Sequence, residues 1–171
     1  MATTLDHTEE RAWRAMVTVT TRLPSALDGL LQREFGVTHF EYRVLALLSE
    51  ESDHRMRMTE LAGAANASTS RLSHAVSKLE RRGWAVRSAA AGPRGVYAVI
   101  TADGCRKVDQ ATPEYLNMVR SLVFDALDSD RKDQLAAMCE MLSDHLAGAL
   151  SEAGAVCSGT EDRPIVSAVA G

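Results

Sequence analysis

Residues 67–95 carry six basic side chains, Arg71, Lys78, Arg81, Arg82, Arg87 and Arg94, against one acid, Glu80. The whole chain has 19 Lys and Arg and 23 Asp and Glu, a formal net charge of −4, so its positive charge is concentrated in one stretch. Among these cations lie Ser68, Thr69, Ser70, Ser73, His74 and Ser77. Guanidinium and hydroxyl groups at helical spacing donate to phosphate oxygens and base edges, and short side chains let a helix N-terminus come close to a polyanion. The chemistry predicted is recognition of DNA. Arg71 reaches a base edge or a phosphate, whereas Ser68 has the alternative role of a plain helix cap. Ser73, His74 and Ser77 lie one and two turns further along, divided between DNA contact and solvated surface. Arg94, at a tight turn, is either a loop charge in solvent or a probe of a narrow minor groove. Arg81, Arg82 and Arg87 hold phosphates or sit in water, affecting salt dependence more than sequence choice.

The elements that must carry these residues are legible in the hydrophobic pattern. A helix over residues 68–82 buries Leu72, Ala75, Val76 and Leu79 and turns its polar face outward. Gly83 closes it, and residues 84–89 and 96–100 read as two strands around Ala-Gly-Pro-Arg-Gly, a hairpin wing. Upstream, Thr38 and Glu41 have capping-box spacing, with Val37 and Tyr42 placed as a hydrophobic staple. The helix they start buries Phe40, Val44, Leu47 and Leu48 and ends in the polar run 49–53. Thr59 is placed to cap a short third helix containing Leu61, Ala64 and Ala65. A long first helix spans residues 8–35, kinked or divided at Pro24 and stopped at Gly36. Thr101 caps a fifth helix through Cys105, Val108, Leu116, Val119, Leu122 and Val123. A sixth, over residues 130–150, runs through Leu135, Met138, Leu142 and Leu146.

The predicted fold is mainly α with a small β-wing (α+β), a winged helix-turn-helix at residues 37–101. It is flanked by helical segments at 1–36 and 102–153 and a flexible tail at 154–171. The flanking helices hold more apolar surface than so small a winged domain covers, which points to a second copy of the chain, a homodimer.

The stretches Thr-Glu-Leu-Ala at 59–62, Ser-Arg-Leu-Ser-His-Ala-Val-Ser-Lys-Leu-Glu-Arg-Arg-Gly-Trp at 70–84 and Val-Ile-Thr-Ala-Asp-Gly at 99–104 carry a resemblance. Over residues 11–150 the chain resembles the MarR family of bacterial transcriptional regulators. The resemblance implies a homodimer held by the terminal helices, with two winged domains in adjacent major grooves and wings reaching toward minor grooves. It further implies repression of a nearby or divergent gene, relieved by a small ligand, often a phenolic or aromatic acid. Other members respond to cysteine oxidation. Family wings commonly carry Asp-x-Arg. Here the run is Gly92-Pro93-Arg94, which keeps the basic tip and lacks the acid that orients it.

For a ligand, Trp13 and Arg14 with His39 and Tyr42 combine an aromatic wall and a cation suited to a carboxylate. The alternative makes Trp13 and Tyr42 core residues and leaves Arg14 in solvent. Cys105 and Cys139 fall on apolar helical stripes and read as inert buried thiols, with redox sensing as the alternative. Three cysteines, Cys157 included, without CxxC spacing or clustered histidines give neither a disulfide framework nor a metal site. There is no Gly-rich phosphate loop and no Ser-His-Asp arrangement, so neither an enzyme nor a cofactor is expected. A winged domain that binds protein instead of DNA remains the rival reading. No run of ~18 apolar residues and no signal-peptide core is present, so a soluble, cytoplasmic protein without a membrane partner is expected.

Overall fold

The computed structural model describes residues 4–89 and 95–152, which leaves the wing-tip Arg94, Cys157 and the segment 154–171 outside the described residues. The order is α1(His7–Phe35), α2(His39–Glu50), β1(Arg55–Arg57), α3(Met58–Ala64), α4(Thr69–Arg81), β2(Ala85–Ala89), β3(Val96–Ile100), α5(Ala102–Val119) and α6(Ser129–Glu152). The predicted class, mainly helical with a small wing, is the observed one.

Local chemistry sets the helix ends. Asp6 caps α1, its carboxylate accepting from the backbone of Thr8 and Glu9 while Glu9 reaches back to the Asp6 N–H. Pro24 lies inside α1 without dividing it, and Gly36, at φ 70°, closes it in the left-handed conformation that glycine adopts without strain. Thr38 and Glu41 form the predicted reciprocal box at the start of α2, at 3.1 and 3.0 Å. Thr59, by contrast, caps nothing. Strand β1 runs straight into α3, so the cap position falls on Arg57, whose side chain makes no capping bond.

That strand has no counterpart in the sequence reading. Three residues pair antiparallel with β3, Met56 opposite Ala98, and produce a sheet ordered β1-β3-β2. The turn between α3 and α4 is tied by Asn66 donating to Gly63 and Ala67 donating to Ala62, with Asn66 at φ 49°. Asparagine tolerates that conformation better than most residues.

The core runs through the middle of this unit. α2 is buried along Val44, Leu45, Ala46, Leu47 and Leu48, and meets Leu61 of α3, Leu72, Val76 and Leu79 of α4, Ala98 and Ile100 of β3, and Val108 and Ala111 of α5. Only the C-terminal half of α1 joins it, through Leu27 and Leu31. Phe40, expected in the buried stripe, is half-buried at the edge. α5 passes into a π-helical turn, Arg120–Phe124, and α6 then leaves the core altogether. Through residue 149 no side chain of α6 is buried, and Met138, Met141, Leu142 and Leu146 are each exposed by 42 to 63%. Trp13, Met16, Val17 and Val19 of α1 are similarly bare. Among the described residues no helix is long and apolar enough to cross a membrane.

Candidate nucleic-acid interface

Four apolar residues of α4 anchor it in the core, and its opposite face is open along Thr69, Ser70, Arg71, Ser73, His74, Lys78 and Arg81. Ser68 is the cap: its hydroxyl accepts from the Arg71 N–H at 3.2 Å. Thr69 and Ser70 sit in the first turn, where uncommitted N–H groups and the helix dipole favour an anion.

The cations around this face do not behave alike. The Arg71 guanidinium lies over the Phe40 ring, 4.2 Å from its centroid. Arg87, in β2, is engaged through both terminal nitrogens by its own protein. It pairs with Glu80, donates to the Ser73 carbonyl at 2.8 Å, and donates to the hydroxyls of Ser73 and Ser77, each at 3.1 Å. The Arg87 N–H adds a bond to Glu80 at 2.8 Å. Arg87 is therefore a brace between the wing and α4, where the sequence reading had placed a phosphate ligand or a solvated charge. Ser73 and Ser77 accept from it and keep their own O–H protons for another acceptor.

Arg82 and Lys78 turn away from the tip of α4 toward Glu41, the one buried acid among the described residues. Their nitrogens stand 3.5 and 3.8 Å from its carboxylate, and Arg82 also donates to the Gly36 carbonyl. A shallow cleft of about 280 Å³, lined by Gln32, Thr38, Glu41, Lys78, Arg81 and Arg82, opens beside this group. On the far side of the sheet, Arg55 and Arg57 flank the Tyr97 ring, and Arg57 donates to its hydroxyl at 2.9 Å.

The four residues expected to share a ligand pocket separate into two pairs within the chain. His39 and Tyr42 meet Tyr115 of α5. The His39 and Tyr115 rings stack at 5.7 Å, Tyr42 and Tyr115 lie 4.6 Å apart, and the Tyr42 and Thr112 hydroxyls are hydrogen-bonded at 2.9 Å. The His39 N–H is held by Asp28 of α1 at 2.7 Å. Trp13 and Arg14 lie 15 and 14 residues up α1 from Asp28, about 22 Å away at 1.5 Å per residue, and Arg14 is engaged with Glu10. Burial lowers the His39 pKa, with the charge of Arg43 acting the same way and Asp28 opposing it. Burial raises those of Tyr42 and Tyr115. The Arg43 Nε is buried without a hydrogen-bond partner among the described residues. Of the cysteines, Cys105 is half-buried against the core, and Cys139 is exposed instead of buried because α6 has nothing packed over it.

The sequence reading gave Phe40, Arg43 and Tyr115 no functional role and did not pair Glu80 with Arg87. A ring beside a helix cap reads as core, and contacts spanning 76 residues, as between His39 and Tyr115, leave no local pattern.

No family model matches the sequence, and no curated protein does either. Solved structures do match. Sco3205, a MarR family transcriptional regulator from Streptomyces coelicolor in complex with DNA, is 35% identical, with 85% of this chain and 92% of that one covered and a TM-score of 0.81. The chain belongs to the MarR family. AbsC, another MarR family transcriptional regulator from S. coelicolor, is 33% identical over 86% of this chain and 99% of its own, with a TM-score of 0.79. CouR from Rhodococcus jostii, solved bound to p-coumaroyl-CoA, shares the fold at 20% identity, a TM-score of 0.65 and 75% of this chain against 88% of that one. The protein is thus a MarR family transcriptional regulator with a DNA-binding winged helix.

Proposed function

We propose that this MarR family regulator is a homodimeric repressor. Its two α4 helices read half-sites of a pseudo-palindromic operator about one DNA turn apart, and a small phenolic or aromatic acid releases it. The observation that carries the reading is the N-terminal turn of α4, where Thr69, Ser70 and the Arg71 guanidinium are exposed and make no hydrogen bond among the described residues. Ser68, Ser73, His74 and Ser77 extend the surface, and Arg94 serves at the wing tip as the minor-groove probe.

Residues 1–36 and 102–153 provide the dimer contacts. An isolated 24-residue helix with four exposed large apolar side chains is poorly stable in water, and a second copy covers it. The winged unit at 37–101 is then held at a fixed spacing from its twin. The ligand seats against His39, Tyr42 and Tyr115. Arg43, whose charge acts on both His39 and Tyr115, supplies a cation for its carboxylate. Trp13 and Arg14 reach that ligand from the second protomer. Release follows from a different ligand affinity for the DNA-competent and DNA-incompetent dimers.

The test is anisotropy titration of the full chain against duplexes tiled across its own upstream region, with scrambled competitor at fixed salt and sedimentation of the complex. Competitor-resistant binding of one dimer to one palindromic segment is expected. A monomer binding with full affinity refutes the dimer, and uniformly weak, salt-sensitive binding to every duplex, with none selected from genomic DNA, refutes sequence-specific recognition.

A further inference from the structure

We infer that Phe40 is a specificity-positioning residue, a platform that holds the Arg71 guanidinium in register for one base pair. The inference rests on the DNA-reading role of α4. Phe40 lies two residues beyond the Thr38 cap of α2, half-buried, with its ring packed against the core. The Arg71 guanidinium carbon stands 4.2 Å above the ring centroid. At that distance the cation rests on the negative face of the ring. Arg71 makes no side-chain hydrogen bond or ion pair among the described residues, so a cation stacked on a ring keeps its N–H groups for another acceptor.

The neighbouring cations are arranged differently. Arg87 spends its donors on Glu80, Ser73 and Ser77, and Arg82 spends its own on Gly36 and Glu41. Arg82 also lies over a ring, that of Trp84 at 5.1 Å, but its Nη1 is committed to Gly36 and Glu41. Arg71 combines the closer ring contact, 4.2 Å, with a guanidinium free of hydrogen bonds and ion pairs among the described residues. An exposed arginine ordinarily samples many rotamers, and ordering it on contact with DNA weakens binding. Stacking on a ring anchored in α2 removes part of that disorder beforehand. A bidentate contact to guanine needs both position and plane, so the platform contributes more to discrimination than to overall attraction.

The experiment uses the full chain, the operator duplex found by tiling, and a panel in which each base pair of one half-site is changed in turn. Phe40→Leu keeps apolar bulk and removes the π-face. It is expected to weaken operator binding by about 2- to 5-fold and to flatten preference at the same single base pair that Arg71→Ala flattens. Phe40→Tyr, which keeps the ring, is expected to restore both. In the Arg71→Ala background Phe40→Leu is expected to change nothing further. Equal loss in both backgrounds, or loss uniform across the panel, overturns the inference and leaves Phe40 a packing residue.

If Phe40→Leu does not fold, the Hδ protons of Arg71 in the wild-type chain, assigned by their loss in Arg71→Ala, carry the test. An upfield ring-current displacement supports the stack, and resonances at ordinary arginine positions overturn it. Tight wild-type binding with a neutral Arg71→Ala sinks the platform alone, whereas absence of selective DNA binding sinks the platform and the reading beneath it.

Discussion

Arg82, the residue that ends α4, donates to the carbonyl of Gly36, the residue that ends α1. The same guanidinium lies 3.5 Å from the buried Glu41 carboxylate, which caps the start of α2. Three helix ends thus meet on one side chain. The bond couples α4, the helix proposed to read DNA, with the helix whose outer half lies bare of intrachain cover.

Removing Arg82 leaves Glu41 buried with Lys78 at 3.8 Å and the Thr38 N–H. Arg82→Ala is expected to lower stability by about 1–3 kcal/mol, read as a fall in Tm of roughly 2–4 °C per kcal/mol for a chain of this size. Glu41→Gln in the same background is expected to recover part of the loss, because the stranded charge is gone. A double-mutant cycle showing additive losses would contradict the coupling.

Arg87 is a brace in the structure, and the salt dependence of DNA binding distinguishes a brace from a phosphate ligand. Each phosphate contact removed reduces the slope of log K against log salt by about 1. Arg87→Met is expected to leave that slope unchanged while destabilising the fold, since Glu80 loses its partner in a half-buried setting. A reduced slope with an unchanged melt would put Arg87 on the DNA backbone.

These two arginines show how far the sequence could be read. The α2 capping box and the apolar series of α4 are local, made by residues three or four apart, and both were legible. The partners of Arg87 lie 7, 10 and 14 residues away and across a change of element. Arg82 reaches 46 residues back to Gly36. Strand β1 is Arg-Met-Arg, too short to alternate, and exists only because Val99, Ala98 and Tyr97 pair with it. The cationic side chains were visible as a cluster, but the division into those committed to protein and those left for DNA was set by tertiary geometry.

Gly104 opens a third test. A Cβ there would overlap the Trp84 carbonyl oxygen and stand 2.6 Å from Ile100 Cγ1. Backbone cannot yield as a flexible side chain does, so Gly104→Ala is expected to destabilise by about 3 kcal/mol or more. Urea unfolding measures it, and a loss below about 1 kcal/mol would mean that α5 starts further from Trp84 than described.

His39 predicts a pH dependence. Its pKa is lowered in the folded chain by burial and by Arg43, with Asp28 opposing, against about 6.5 when unfolded. The unfolded chain therefore binds the proton first as pH falls. The His39 contribution is intact above about pH 6.5 and declines on acidification until the pH passes below the folded pKa. His39→Phe, which retains a ring against Tyr115, is expected to flatten the decline below about pH 6.5. Identical pH profiles for the two proteins would show that other groups govern it.

Where α5 begins, the Thr101 hydroxyl donates to the Gly83 carbonyl at 2.6 Å, the Thr101 N–H donates to the Trp84 carbonyl at 3.1 Å, and Gly104 leaves no clearance. α5 is about 27 Å long at 1.5 Å per residue, and its near end is stitched to the turn that follows α4. It is a lever with a fixed fulcrum. A shift of about 1 Å at its far end corresponds to a tilt of roughly 2° over that length, delivered to the base of α4 as rotation of a rigid piece. In the dimer proposed above, a displacement of α5 thus reaches α4 as a change of angle, and recognition of two half-sites about one turn apart is sensitive to angle before it is sensitive to contact strength.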